Sequence, residues 1–445
     1  MPIALPVTPI PAHSLLVFLL QAGLLVLLAL VLGRLAVRCR LPAVVGELSV
    51  GVLLGPTVLS HACPALSDWL LPQRADQFHL LDAVGQLGVL LLVGVTGMEL
   101  DLGLVRRRRR TALGISVTGL ALPLGLGFLA GWYAPGSFVG EAVRERYVFA
   151  LFLGVALCVS AIPVITKTLA DMNLLHRNVG QLTLAAGVID DVVGWILLSV
   201  VSAAATTGVR GGAVAASLLW LVVVVGAAAT VGRRLVGAAM RAAERGRAPG
   251  SPVAVAVATV LLCGAATQAA GLEAVFGAFL AGLLLRPSGA AQYARLAPVR
   301  SFVMSVLAPL FFATAGLRVD LSALGRPAVL GAALAVLGLA VAGKFVGAFL
   351  GARFSRLSGW EALAVGAGMN ARGVIEIVVA SVGLRLGVLT TQSYTVVVLV
   401  AVATSVMAPP VLRLATNRIE HTAEEALRAR VTERTRGDET QMDPA

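Results

Sequence analysis

Four ionisable side chains stand deep in apolar runs, where they cannot be idle: Asp190 and Asp191 side by side, Lys344, and Glu376. A charge at the middle of a bilayer costs about 2.5–3.5 kcal/mol on insertion scales, and such residues usually mark an ion path. The acidic pair sits in Leu184-Ala-Ala-Gly-Val-Ile-Asp-Asp-Val-Val-Gly-Trp-Ile-Leu-Leu198, near the middle of its apolar run. Neighbours on a helix point about 100° apart, so the two carboxylates cannot serve one ligand equally. One can face a cavity while the other faces a packed helix. Two carboxylates this close in a low-dielectric site repel, so at least one is poised to hold either a proton or a bare cation. Competition of that kind is the chemistry of exchange, and it makes Asp191 and Asp190 the candidate proton and metal-ion ligands.

Lys344 needs a carboxylate partner if it is to stay charged in the membrane, and one of the aspartates is the candidate. Around it, Gly343, Gly347 and Gly351 are spaced by four, which lets another helix approach closely. Arg372 and Glu376 are also four apart and can pair across one helical turn, in either a structural or a direct role. Glu47, Glu99 and Glu273 fall nearer span ends, where an interfacial or capping role competes with a role in transport.

The elements that position these residues are membrane spans. Of 445 residues, 58% are hydrophobic and only 13% charged, against about a quarter charged in soluble domains. Thirteen apolar runs are expected to cross a hydrocarbon core of about 30 Å. They lie at about 14–33, 41–59, 81–100, 111–133, 147–170, 180–204, 212–232, 251–270, 272–286, 300–318, 327–352, 359–384 and 391–415, the ninth being short. Placing the N-terminus outside puts twenty-six of the 35 Lys and Arg in cytoplasmic segments and seven outside, leaving Lys344 and Arg372 within the membrane. The positive-inside rule therefore supports thirteen spans and a cytoplasmic C-terminus. The net charge of +12 is spread in loop clusters, which excludes a nucleic-acid partner. Met1–His13 lacks the basic region of a cleavable signal. Cys39, Cys63, Cys158 and Cys263 show no metal-type spacing. Residues 416–445 read as a solvated charged tail with at most a helical turn or two, too short for a nucleotide-binding domain.

The fifth span carries Ser160-Ala-Ile-Pro163 at its middle, where proline should unwind the helix. The twelfth carries Gly366-Ala-Gly-Met-Asn370-Ala-Arg372-Gly-Val-Ile-Glu376, Gly-rich and polar at mid-membrane. Two interrupted spans in matching positions point to a substrate site between inverted repeats. Spans four to six map onto eleven to thirteen, and an odd shift of seven inverts the second copy. The two unwound stretches should then cross beside the acidic pair.

Gly46-Glu-Leu-Ser-Val-Gly-Val-Leu-Leu-Gly-Pro56, Leu87-Gly-Val-Leu-Leu-Leu, the Asp190-Asp191 helix, Pro309-Leu-Phe-Phe312 and Gly368-Met-Asn-Ala-Arg-Gly-Val-Ile-Glu376 together resemble the monovalent cation:proton antiporter-2 family over about residues 15–415. The resemblance implies the Na⁺/H⁺ antiporter fold: an all-α polytopic protein of about thirteen helices with two crossed discontinuous helices, acting as a homodimer. A core over about 81–204 and 300–415 would move as an elevator against dimerisation helices over about 14–59 and 212–286. It implies that Asp191 binds the ion or proton, that Asp190 pairs with Lys344, and that Ser160 and nearby carbonyls complete the ion's shell. Pro163, Asn370, Arg372 and Glu376 would support that site. Family members gated by glutathione usually carry Gln-Asp and a nucleotide-binding domain; with Asp-Asp and neither, such gating is not expected.

The function expected is exchange of Na⁺ or K⁺ for H⁺ by alternating access, without cofactor and without catalysis of a reaction. A channel would need a filter signature, and an intramembrane aspartyl protease would need its two aspartates on different helices. An ion-coupled symporter of a small organic solute on the same fold is the runner-up, disfavoured by a lysine and two aspartates at the site. Arg outnumbers Lys 33 to 2, the codon bias of a high-GC bacterial gene, so the expected location is a bacterial inner membrane.

Overall fold

The computed structural model describes residues 10–39, 41–71, 75–100, 102–141, 143, 145–207, 211–245, 250–286, 290–420, 422 and 425. Among these the fold is all-helical, with strand pairing confined to one isolated bridge between Val139 and Leu389. The basic residues 40, 74, 144, 210 and 247 of the expected loops, and the tail from 426 onward, lie outside the described residues.

The main helices run in order as follows. The first three are α1 (Ala12–Arg38), α2 (Ala43–Leu54) and α3 (Ala75–Glu99). Then come α4 (Arg109–Tyr133), α5 (Arg146–Cys158), α6 (Ile162–Asp171) and α7 (Asn178–Thr207). The middle of the chain forms α8 (Leu219–Arg245), α9 (Ser251–Ala269), α10 (Ala274–Leu285) and α11 (Ala294–Gly316). The last four are α12 (Pro327–Phe354), α13 (Gly359–Met369), α14 (Val374–Arg385) and α15 (Thr391–Thr416). Eleven helical stretches among the described residues, counting α5 with α6 as one, are long and apolar enough to cross a membrane. A twelfth is formed by α13 and α14, bent by 42° at their break.

The ninth expected span, 272–286, already short in the sequence, is shorter still in the structure. It is α10, a helix of 12 residues, which reaches only about 18 Å at 1.5 Å per residue. The reason lies in its approach: Gly271 takes a left-handed φ of 76° to end α9, and Glu273 is still extended as the residue before α10.

Two groups of helices emerge from the packing. In one, α4, α5–α6 and α7 pack with α12, α13–α14 and α15, so each half contributes a long helix, a broken helix and a second long helix. The Gly343/Gly347/Gly351 row of α12 lies on α4; a Cβ at Gly347 would stand 2.5 Å from the Thr118 carbonyl oxygen. In the other group, α1 and α2 pack with α11, and α3 packs with α9, α10 and α11. The helices over 79–99 and 294–316, expected with the broken helices, therefore sit in this second group. Small residues hold them there: a Cβ at Gly51 would stand 2.0 Å from the Ala313 carbonyl oxygen, and one at Gly97 2.7 Å from that of Phe279.

Several basic residues of the expected cytoplasmic loops gather at one end of the bundle. Arg300 pairs with Glu99 at the end of α3, and Arg108 donates to Asn178 Oδ1 at the start of α7 (3.2 Å). The segment after α15 was expected to be solvated, yet Glu425 is only 2% exposed. Its carboxylate accepts the Asn178 amide (2.6 Å), one of the orphan donors at the start of α7, and faces Arg177 (3.3 Å).

Candidate functional site

The chain loses helical form at Val159–Ala161 and again at Asn370–Gly373. Pro163 is the second residue of α6, in its first turn, where a missing N–H costs nothing. It thus opens the second half-helix, with the break just before it. At the other break Gly373 adopts φ 157°, and a Cβ there would stand 2.8 Å from Val164 Cγ2. The two stretches touch directly: the Ala161 amide donates to the Ala371 carbonyl (3.3 Å). The Ser160 hydroxyl reaches the Met369 carbonyl (3.0 Å), the last residue of α13.

The acidic pair lies against this crossing, and its members have different surroundings. Both are fully buried. Asp190 Oδ1 accepts from Ser116 Oγ of α4 (2.5 Å), and Oδ2 faces Lys344 Nζ (2.5 Å) and Ser160 Oγ (3.1 Å). Lys344 also donates to the Cys158 carbonyl (2.5 Å), which the end of α5 leaves without a helical partner. Ser160 has one hydroxyl proton and two acceptors, Asp190 and Met369, so it serves one of them at a time.

Asp191 is the reverse case: among the described residues neither carboxylate oxygen has a hydrogen-bond partner of normal geometry. The Ile162 amide, at the start of α6, is the backbone donor that bears on it. A buried carboxylate left this way is rare and calls for a ligand or a proton. Asp190, expected beside it as a metal-ion ligand, has both oxygens already engaged. Asn370 Oδ1, also buried, is without a partner as well.

Arg372 and Glu376 are buried and paired at 3.3 Å, with Arg372 Nη2 donating to the Ala340 carbonyl (2.9 Å). The Arg372 carbonyl accepts from Ser405 Oγ of α15. The guanidinium thus ties the second break to α12 and the backbone carbonyl ties it to α15. Ser116 and Ser405 were not singled out in the sequence. A lone serine in an apolar helix resembles any packing residue, and only the fold shows that each faces the crossing.

A cavity of about 750 Å³ runs between the two helix groups. Glu47, Glu99, Lys167 and Arg413 line it, and Pro163, Val164 and Val374 bring it to the edge of the crossing. Of the three acids left open in the sequence, Glu47 lines this cavity, Glu99 lines it while pairing with Arg300, and Glu273 pairs with Arg385 at 2.7 Å.

A profile of the family described as sodium/hydrogen exchanger, transmembrane, matches residues 24–417. The chain is similar to cation/H⁺ antiporter 20 of Arabidopsis thaliana, with 32% identity over 403 residues, 88% of this chain and 47% of that protein. It thus spans about half the length of that plant relative. Similarity to the Na⁺/H⁺ antiporter NhaS4 of Synechocystis is 28% over 402 residues, covering 90% of this chain and 97% of the other. The fold is similar to that of the sodium proton antiporter MjNhaP1 of Methanocaldococcus jannaschii. The TM-score is 0.62 at 18% identity, with 91% and 97% of the two chains covered.

Proposed function

The chain belongs to the transmembrane sodium/hydrogen exchanger family, and from that premise we propose that it exchanges Na⁺ or K⁺ for H⁺ by alternating access, the two competing for Asp191. The observation that carries this reading is the asymmetry of the acidic pair: Asp190 is held by Ser116, Ser160 and Lys344, and Asp191 is held by nothing of normal geometry. A cation at Asp191 would gain a full charge and the nearby oxygens of the crossing; a proton would remove the charge instead. Ser160, released from Asp190, and the Asn370 amide oxygen would add to the cation's shell. Lys344 would keep Asp190 in place while Asp191 changes state.

The cavity that comes to the edge of the crossing supports a site reached from one face at a time. In this reading the six-helix group with the two broken helices moves against the group of α1–α3 and α8–α11. The second group would also form the homodimer interface. The protein would lie in a bacterial inner membrane with its N-terminus outside and its C-terminus in the cytoplasm. A solute symporter finds no support in relatives that are named cation/H⁺ and Na⁺/H⁺ antiporters.

The test is proton movement in proteoliposomes holding a preset pH gradient, on separate addition of Na⁺, K⁺ or Li⁺. Collapse of the gradient by one or two of these cations establishes exchange and its selectivity. No response to any of them between pH 6 and 9 rejects the reading.

A further inference from the structure

The 750 Å³ cavity comes to the edge of the crossing from the end of the bundle where α3 and α15 finish. The opposite route, from Asp191 toward the far end of α7, is shut, and the residues that shut it share one helix face. Trp195, Ser199 and Ser202 follow Asp191 at offsets of four, eight and eleven residues. At about 100° per residue these fall within roughly 80° of one another. All three are buried, and Trp195 Nε1, Ser199 Oγ and Ser202 Oγ have no hydrogen-bond partner among the described residues. Buried hydroxyls in helices commonly bond to the carbonyl a turn back, as Thr183 of the same helix does. Polar atoms that stay unpaired along one stripe are expensive in a packed interface, yet natural in a path that is wetted when the interface opens.

The short helix α10 covers the beginning of that stripe. Its Phe279 ring faces Trp195 with centroids 6.1 Å apart, joining α7 of the broken-helix group to the second group. At its start, Glu273 is 6% exposed and receives Arg385 Nη2 of α14 (2.7 Å). Arg385 Nη1 reaches Gln86 Oε1 of α3 (2.9 Å). One arginine at the end of a broken span is thus tied to two helices of the other group, on the face opposite the cavity.

We propose that the second half of the ion path runs along the Trp195–Ser199–Ser202 face of α7, and that α10 is its gate, closed here by Phe279 on Trp195 and latched by Arg385 on Glu273 and Gln86. The proposal deepens the exchange reading and rests on it. It also explains the length of α10: a helix that spans the bilayer would be fixed at both ends, whereas one of 12 residues begins at the latch and can yield with it.

The test is alkylation of Ser202→Cys by a small hydrophilic maleimide, with the full chain in lipid nanodiscs. Modification at position 202 is quantified by mass spectrometry against the exposed native Cys63. The expected result is slow modification with the gate intact and about tenfold faster modification when Glu273→Gln or Phe279→Ala is added. For Glu273→Gln that is the population shift expected on removing the charge from one charge-assisted hydrogen bond. Equal rates in all three overturn the proposal. Ser199→Cys repeats the measurement if the first variant does not fold. Cation-driven proton flux is followed on the same preparations. Gate-dependent alkylation without any flux would sustain the gate and reject the exchange reading.

Discussion

Lys344 Nζ stands 2.5 Å from Asp190 Oδ2 with both side chains fully buried, while Asp191, the next residue along α7, has no ion pair and no side-chain hydrogen bond among the described residues. The ion pair fixes one carboxylate as part of the scaffold and leaves its neighbour outside that pair.

Breaking that pair from either side leaves an uncompensated buried charge, which costs about 3–5 kcal/mol. Lys344→Met and Asp190→Asn are each expected to lower the thermal transition in detergent markedly. The double variant should recover much of the loss, because it removes both charges together. If the double variant melts as the sum of the two singles, the pair is not coupled as described.

Gly373→Ala places a side chain at φ 157° and a Cβ 2.8 Å from Val164 Cγ2. Strain of this kind costs about 1–3 kcal/mol, and it falls on the break between α13 and α14. Lower thermal stability and slower exchange are expected together. Val164→Ala should restore part of the stability by removing the contact while leaving the φ strain. Wild-type melting of Gly373→Ala would contradict this role for the break.

Glu425 outside the membrane supplies a pH dependence with a definite sign. Burial raises its carboxyl, but the Thr422 and Asn178 amides and the Arg177 guanidinium outweigh it, so the group sits below its ordinary value of 4.5. A lowered carboxyl contributes stability in full above the unfolded value and loses it as pH falls through the folded one. The tie from the chain end to α7 should therefore hold at neutral pH and weaken below about 4.5. Glu425→Ala removes a helix cap worth about 0.5–2 kcal/mol. Limited trypsin digestion after Arg418 at neutral pH should be faster in that variant than in the native protein.

Much of the site was legible because the membrane makes charge conspicuous. Asp190, Asp191, Lys344, Arg372 and Glu376 announced themselves by type and depth alone, and Pro163 and the Gly366–Gly373 stretch announced the breaks. Which aspartate the lysine meets was not readable from spacing, since it depends on how α12 lies on α4. That the ninth span is short was legible, but where α10 begins was not, because apolar residues fill 272–286 whether or not the backbone is helical there. Grouping α3 and α11 with the broken helices failed for a related reason. Their contacts are set by glycines such as Gly97 and Gly51 meeting backbone, which hydropathy does not register. Ser116 and Ser405 carry no signal outside the fold.

Arg372 and Glu376 are expected to act on the break itself. Arg372→Met removes the donor to the Ala340 carbonyl and leaves Glu376 buried and unpaired. A loss of stability of about 3 kcal/mol or more is expected from the stranded carboxylate. Adding Glu376→Gln should relieve most of it. Failure of the second substitution to help would show that the arginine's bond to Ala340, not the pair, is what holds the break.

The most direct measurement is cation-driven proton movement in proteoliposomes carrying Asp191→Asn beside the native chain, with both confirmed folded by their melting curves. Native melting and no exchange with Na⁺, K⁺ or Li⁺ are expected in the variant, because the amide can neither lose a proton nor neutralise a cation. Exchange at the native rate by Asp191→Asn would contradict competition at Asp191.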